Sequence, residues 1–180
     1  MRNLLLLGLL WVGVPSTAAA DDHCAENLDF ELRRLDGSET VRLCEAFGDR
    51  VVLIVNTASR CAYTGQYEGL EALHARYSER GLVVAGFPSD DFGQEPGSEA
   101  QILNFCHATY DVRFPMFEKV RVRAGQAHPL FDQLAAEAGG YPDWNFNKYL
   151  LDRQGRVVAR YRSATDPLGE TLIEAIEGLL

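Results

Sequence analysis

Two mostly apolar runs, the first rich in β-branched residues, constrain the fold of this chain most strongly. Residues 50–57 read RVVLIVNT, and residues 82–87 form a second apolar run that is stopped by Pro88. Runs without polar alternation are typical of strands that are covered on both faces of a sheet. Between them, residues 66–80 carry apolar side chains at helical spacing, and Gly81 ends the pattern. This strand–helix–strand order predicts a parallel pair of strands.

The remaining segments predict two hairpins and three further helices. The hairpin strands are expected at residues 28–35 with 41–43, and at 149–152 with 157–161. The helices are expected at residues 98–110, 129–138 and 167–180. Helices between parallel strands, with an antiparallel hairpin at the edge, give an α/β, thioredoxin-like fold. The chain adds an N-terminal β-hairpin to that arrangement, and an insertion before Trp144-Asn145-Phe146.

The first twenty residues have the composition of a secretory signal peptide. An apolar run over residues 4–14 follows a positive residue, and small alanines at 18–20 precede an acidic pair at 21–22. The run is short for a membrane span, which needs about 20 residues. We therefore divide the chain into a signal peptide, residues 1–20, and one exported domain, residues 21–180, in the periplasm or outside the cell. The alternative is an uncleaved N-terminal anchor.

The composition excludes two classes of partner. Lys and Arg number 17 against 26 Asp and Glu, which gives a formal net charge of −9. A nucleic-acid binder needs a basic surface, so no nucleic-acid partner is expected. No apolar run reaches the ~18 residues of a membrane-spanning helix, so no stable membrane insertion is expected.

The chain has four cysteines, Cys24, Cys44, Cys61 and Cys106. In an oxidising compartment they permit two disulfides in three connectivities. No C-x-x-C pair occurs, and the His and Cys spacings do not suit zinc, so neither a dithiol motif nor a metal is expected. Cys24 and Cys44 flank the N-terminal hairpin, which favours a structural disulfide between them.

Cys61 occupies a position that suits a reactive thiol. It follows the strand that ends at residue 57 and precedes the helix from about residue 66. Sites in open α/β sheets form beyond the carboxyl ends of the strands, and a helix start offers free N–H groups. These groups favour the thiolate, which is the nucleophile. The alternative for Cys61 is half of a structural disulfide.

Four motifs, in order along the chain, resemble segments of the glutathione peroxidase family. Residues 51–73, VVLIVNTASRCAYTGQYEGLEAL, resemble the segment around that family's reactive cysteine or selenocysteine. The other similar segments are GFP at 86–88 with FGQEPG at 92–97, FPMF at 114–117, and Trp144-Asn145-Phe146. The resemblance extends from about Leu28 to the C-terminus.

The resemblance implies a thiol peroxidase without a bound cofactor. Its substrates would be hydrogen peroxide and organic or lipid hydroperoxides, and its reductant a thioredoxin-like protein or glutathione. Cys61 would be the peroxidatic residue, and Trp144 and Asn145 would donate hydrogen bonds to the sulfur and the peroxide. Fixed donors of this kind stabilise charge where it develops. The alternative for Trp144 is a core aromatic.

One position departs from the family's pattern. The family carries Asn-Gln-Phe-Gly, with the Gln in its catalytic set, where this chain has Asp-Asp-Phe-Gly at 90–93, and the loop is one residue shorter before Gln94. An ionised Asp91 would only accept hydrogen bonds and would repel a neighbouring thiolate. Asp91 is either protonated and donating, or a proton acceptor for the thiol, or turned away while backbone groups serve instead. We expect it to tune the thiolate.

Cys106 stands near the position where cysteine-type members keep a second cysteine that resolves the oxidised one. Its helix would have to unwind locally, because a disulfide requires Cα atoms within about 7 Å. The alternative is a buried small hydrophobic residue.

The short segment before Trp144 resembles the monomeric, lipid-hydroperoxide-reducing branch of the family, so a monomer is expected. The competing hypothesis for function is an exported thioredoxin-fold redox sensor, or a thiol–disulfide protein, without efficient peroxidase turnover.

Overall fold

The computed structural model describes residues 24–180 of the chain, and the signal peptide expected at residues 1–20 lies outside them. The strands of this part are β1 Glu31–Arg33, β2 Thr40–Arg42, β3 Val51–Thr57, β4 Leu82–Pro88, β5 Lys148–Leu151 and β6 Val157–Tyr161. The α-helices are α1 Leu43–Phe47, α2 Gln66–Tyr77, α3 Glu99–Tyr110, α4 Pro129–Ala138 and α5 Glu170–Glu177. Short 3-10 turns occupy Glu26–Leu28 and Ser78–Arg80.

The central sheet has the strand order β4-β3-β5-β6. The pair β3 and β4 is parallel, as the two apolar runs predict, and β5 and β6 add antiparallel strands on the other side of β3. Every residue of β3 and β4 is buried, because both faces of the sheet are covered. The two parallel strands end together at Thr57 and Pro88, and this edge positions the site.

Successive residues of the central strand enter two different cores. Val51, Leu53 and Val55 belong to the core on one face, with the buried sides of α2, α3 and α5. Val52 and Ile54 belong to the core on the other face, with α1, α4 and residues of the N-terminal hairpin. The period-two alternation of a strand therefore divides the apolar run between two layers of helices.

The N-terminal hairpin is shorter than the sequence pattern predicts. β1 and β2 pair over three residues each, from Glu31 opposite Arg42 to Arg33 opposite Thr40. Leu43 begins α1 instead of extending the strand, because Leu43 and Phe47 bury their side chains at helical spacing. The expected disulfide between Cys24 and Cys44 is present, with the two Cα atoms 5.5 Å apart.

The later helices lie close to their predicted positions. Ser98 caps α3: its hydroxyl accepts from the Gln101 N–H, while the Gln101 side chain accepts from the Ser98 N–H. α4 coincides with the predicted helix and forms the insertion before Trp144. α5 begins only after Gly169 and is shorter than predicted. Among residues 24–180, none of the helices has the length and apolar character needed to cross a bilayer.

Candidate active site

Cys61 lies in a turn between the end of β3 and the start of α2. Its main-chain N–H donates to Thr64 Oγ1 at 2.9 Å, and that hydroxyl donates to the Ala58 carbonyl at 2.9 Å. The Tyr63 N–H faces the Cys61 Sγ at 3.4 Å. A main-chain N–H that points at sulfur stabilises the thiolate. Cys61 is a half-buried free thiol and not half of a disulfide, so the position expected from the sequence is confirmed.

The loop at residues 89–97 lies against the segment that precedes Cys61. The Arg60 N–H donates to the Gln94 carbonyl at 3.1 Å. The Gln94 side chain points toward the Trp-Asn-Phe segment, where its Oε1 accepts from the Asn145 Nδ2 at 2.9 Å. Gln94 therefore connects the segment before Cys61 to the Trp-Asn-Phe segment.

Glu95 fixes the loop at residues 89–97 to the segment before Cys61 and to Lys119. Its side chain is buried and accepts from the Ser59 hydroxyl at 2.9 Å, and the Lys119 ammonium donates to its carbonyl at 2.7 Å. Burial raises the pKa of Glu95, and the hydrogen bond from Ser59 opposes that rise. The loop is thus held through both the side chain and the main chain of Glu95.

The segment Trp144-Asn145-Phe146 enters β5 through a residue in the left-handed region. Phe146 has φ +62°, which is strained for a bulky side chain. Its N–H donates to the Asn56 carbonyl at 2.6 Å. The buried Asn56 side chain donates to the Trp144 carbonyl and accepts from the Asn147 N–H, both at 3.0 Å. The strained segment is therefore tied to the end of β3, the strand that leads to Cys61.

Lys148 links the Trp-Asn-Phe segment to the start of α2. It is fully buried, and its Nζ donates to the Phe146 carbonyl and to Gln66 Oε1, each at 2.8 Å. Gln66 is the first residue of α2. Burial lowers the pKa of Lys148 to about 8, and the charge of Asp166 opposes the change.

The two side chains expected to donate hydrogen bonds lie in different surroundings. Asn145 is fully buried, and its Oδ1 has no hydrogen-bond partner within residues 24–180. Trp144 is 38% exposed, and its ring packs on Phe92 with centroids 5.2 Å apart. Trp144 is therefore not a core aromatic. The indole of Trp144 is therefore open to a ligand, whereas the Asn145 Oδ1 is buried without a partner.

An open depression of about 410 Å³ lies beside these residues. Its lining includes Tyr63, which follows Cys61 by two residues, together with Trp144 and Ala164. Arg162 and Asp143 form an ion pair at 3.2 Å on its rim. A small hydroperoxide has room here next to the turn that carries the thiol.

Asp91 is engaged elsewhere. Its carboxylate is almost fully buried and accepts from the main-chain N–H groups of Val122 at 2.6 Å and Arg123 at 3.0 Å, and it pairs with the Arg121 guanidinium. None of these partners belongs to the Cys61 turn. Of the three possibilities that the sequence leaves open, the structure matches the one in which Asp91 is turned away.

Cys106 lies in the third turn of α3, fully buried. It belongs to the same core against which Cys61 packs, yet both remain free thiols. Burial raises the pKa of the Cys106 thiol to about 11. In this conformation Cys106 is a buried thiol that is not bonded to Cys61.

The described residues contain one group of metal-ligating type, Cys24, Asp29 and Cys44. Its two sulfurs are already joined in the disulfide, so they offer no thiolate to a metal ion.

Sequence reasoning missed three side chains of this site. Gln94, Asn56 and Lys148 all stand within or next to recognised motifs, but nothing in the motifs says which partners they meet. The contacts of Gln94 and Asn56 with the Trp-Asn-Phe region span 51 and 91 residues of sequence, respectively. The one available signal was Lys148, a lysine within a strand that is predicted to be buried. A buried charge needs hydrogen-bond partners, so such a lysine indicates polar groups close to it.

Comparison with known proteins gives a consistent result. The sequence profile of the glutathione peroxidase family matches residues 28–135. A hydroperoxy fatty acid reductase of Synechocystis sp. is 48% identical over 162 residues, covering 84% of this chain and 94% of that protein. A glutathione peroxidase-like peroxiredoxin of Saccharomyces cerevisiae is 44% identical over 137 residues, covering 73% of this chain and 83% of the relative.

Solved structures agree with the thioredoxin-like fold expected from the order of elements. The crystal structure of the Trypanosoma cruzi protein titled T. cruzi GPX1 superposes with a TM-score of 0.65 at 27% sequence identity. The match covers 85% of this chain and 95% of that chain.

Proposed function

The chain belongs to the glutathione peroxidase family and is a thiol-dependent peroxidase, and from this premise we propose that Cys61 is its peroxidatic residue. The observation that carries the proposal is the position of the Cys61 sulfur, which accepts the Tyr63 N–H at 3.4 Å in the turn before α2. Cys61 is half-buried, and Tyr63, two residues further along the chain, lines an open depression, which supports access of a peroxide to this turn.

The first step is attack of the thiolate on the terminal oxygen of the hydroperoxide. An S–O bond forms, the O–O bond breaks, and the other oxygen leaves with the electron pair. The proton that Cys61 lost returns to this leaving oxygen, so the products are a sulfenic acid and water or an alcohol. The indole N–H of Trp144 stabilises the charge on the leaving oxygen. The Asn145 Nδ2 donates to Gln94, so the atom of this amide that is left for the hydroperoxide is Oδ1, which accepts from its O–H group.

We propose organic hydroperoxides, including those of fatty acids, as substrates besides hydrogen peroxide. The relative from Synechocystis is named for hydroperoxy fatty acids. The depression beside Cys61 supports this extension, because Tyr63, Trp144 and Ala164 present apolar surface to a substrate's hydrocarbon part.

For the second half of the cycle we propose that Cys106 resolves the sulfenic acid. Its thiol attacks the Cys61 sulfur, a disulfide forms and water leaves. A thiol reductant, either a thioredoxin-like protein or glutathione, then reduces this disulfide. The location of both cysteines at the same core supports the pairing.

We further propose that the domain acts as a monomer outside the cytoplasm, after removal of residues 1–20. The Cys24–Cys44 disulfide supports export, because structural disulfides persist in oxidising compartments. N-terminal sequencing of the exported protein is expected to begin at Asp21, and light scattering is expected to give the mass of one chain.

Cys61→Ser tests the proposed function. The variant should fold normally but consume no peroxide, because an alcohol is not deprotonated at neutral pH. Cys106→Ser is the control, since it should keep the first oxidation step and lose turnover with a thioredoxin-like reductant. Residual peroxide consumption by Cys61→Ser would refute the assignment. Fast oxidation of the wild type without turnover by any thiol would favour the sensor hypothesis.

A further inference from the structure

We propose that Gln94 is a positioning residue of the peroxide site: its side-chain amide sets the orientation of the buried Asn145 amide, and its main chain is bonded to Arg60, the residue before Cys61. The proposal rests on the proposed function of Cys61. It identifies a residue that acts through Asn145 and not through contact with the peroxide.

The first argument is the isolation of Asn145. Its side chain is fully buried, and within the described part of the chain its amide makes one hydrogen bond, to Gln94 at 2.9 Å. The terminal torsion of asparagine is broad, so packing alone fixes the amide plane poorly. Gln94 therefore determines which end of the Asn145 amide stays free. Turning both amides over preserves their contact, so this coupling does not depend on which nitrogen donates.

The second argument is the rigidity of Gln94 itself. Its carbonyl accepts from the N–H of Arg60, the residue before Cys61, at 3.1 Å. The next residue is the buried Glu95, which Ser59 and Lys119 hold by hydrogen bonds. A positioning group is effective only where its own backbone is fixed, and this backbone is fixed to the segment that carries the thiol.

The third argument is the unpaired end of the Asn145 amide. A buried polar atom without a hydrogen bond costs about 1–3 kcal/mol, so such atoms are rare unless a ligand completes them. The unpaired atom is the acceptor Oδ1, so a hydroperoxide pairs with this end by donating its O–H group. Position 91 does not compete for this task, because the Asp91 carboxylate is committed to Val122 and Arg123.

Two substitutions of Gln94 separate positioning from a merely structural contact. Gln94→Met keeps the length and removes the hydrogen bond, whereas Gln94→Glu keeps an acceptor for Asn145 and adds a negative charge. The measurement is stopped-flow oxidation of the reduced protein by hydrogen peroxide across a range of pH, with the unfolding midpoint of each variant. Gln154→Met, the same change at an exposed glutamine, is the matched control.

We expect Gln94→Met to be oxidised about tenfold more slowly at every pH, because an Asn145 amide that is no longer held by Gln94 loses about one hydrogen bond to the reacting peroxide. Gln94→Glu should recover the plateau rate to within about threefold, with its pH profile displaced to higher pH because a carboxylate opposes a nearby thiolate. Gln154→Met should behave as wild type. If Gln94→Met fails to fold, the displaced profile of Gln94→Glu carries the test.

Oxidation of Gln94→Met at the wild-type rate would overturn this proposal alone. So would an equal loss in both variants without displacement of the pH profile. A wild-type protein that consumes no peroxide would instead overturn the proposed function and this proposal together.

Discussion

The carboxylate of Asp91 has all its partners within residues 121–123. It accepts two main-chain N–H groups and pairs with Arg121, and the next residue, Phe92, supports the ring of Trp144. At the scale of single residues, Asp91, which the sequence made a candidate catalytic residue, thus fixes the shape of the loop at residues 89–97.

We expect Asp91→Ala to lower the free energy of unfolding by roughly 2–3 kcal/mol, because it leaves two main-chain N–H groups without their acceptor. Chemical denaturation measures this loss. Glu39→Ala is the matched control: Glu39 also pairs with an arginine, but it is exposed, and its loss should cost at most about 0.5 kcal/mol. A changed pH profile of Cys61 oxidation at unchanged stability would show that Asp91 acts on the thiol after all.

Lys148 predicts a dependence of stability on pH. Its pKa falls from an ordinary value of 10.5 to about 8 in the folded protein, chiefly through burial. Between these values the unfolded chain binds more protons than the folded one, so raising the pH stabilises the fold. From pH 8 to 10 the gain is roughly 2 kcal/mol, and it is absent below pH 8.

The measurement is the difference in unfolding free energy between wild type and Lys148→Met at each pH. Tyrosines and Cys106 also titrate in alkali, and the difference between the two proteins removes their contribution. If the two curves run parallel between pH 8 and 10, Lys148 does not titrate in this range.

At the scale of elements, α3 controls access to Cys106. The helix is closed at its start by the capping box of Ser98 and Gln101, and its buried face includes Ile102 and Cys106. A buried thiol with a pKa of about 11 is a poor nucleophile at neutral pH. The proposed attack of Cys106 on the sulfenic acid therefore predicts that the helix opens first.

Weakening the cap should therefore speed the second step without affecting the first. Ser98→Ala removes about 1 kcal/mol of helix stability, so formation of the Cys61–Cys106 disulfide should accelerate about fivefold, while oxidation of Cys61 stays unchanged. Peptide mapping of samples quenched at successive times measures both steps. The control is His128→Ala, which removes the side-chain cap of α4, a helix without cysteine. Equal effects of the two variants, or none, would contradict gating by α3.

At the scale of the whole molecule, the Cys24–Cys44 disulfide joins the first described residues to α1, on the face of the sheet that carries α4. Replacing both cysteines by serine should lower the free energy of unfolding by about 3 kcal/mol, since the bond closes a loop of 20 residues. Chemical denaturation tests this, and the rate of Cys61 oxidation should not change. A peroxide-induced bond between Cys61 and either of these cysteines in the wild type would contradict a purely structural role.

The order of strands and helices, and the place of Cys61 among them, follow from the sequence. Apolar periodicity and turn residues are local signals, so β3, β4, α2, α3 and α4 can be predicted to within a few residues. The same reasoning cannot place the end of β2, because burial against a distant core makes Leu43 begin a helix.

Only the tertiary structure decided which partners the polar side chains of the loop at residues 89–97 meet. Asp91 and Gln94 are three residues apart in one loop, yet one bonds to Val122 and the other to Asn145. These contacts span 31 and 51 residues of sequence, so they depend on how the chain packs and not on any local pattern. The sequence therefore determines the fold and the place of its proposed nucleophile. Packing determines that Gln94, and not Asp91, bonds to the Asn145 amide, because a hydrogen bond forms only between groups that the fold brings close together.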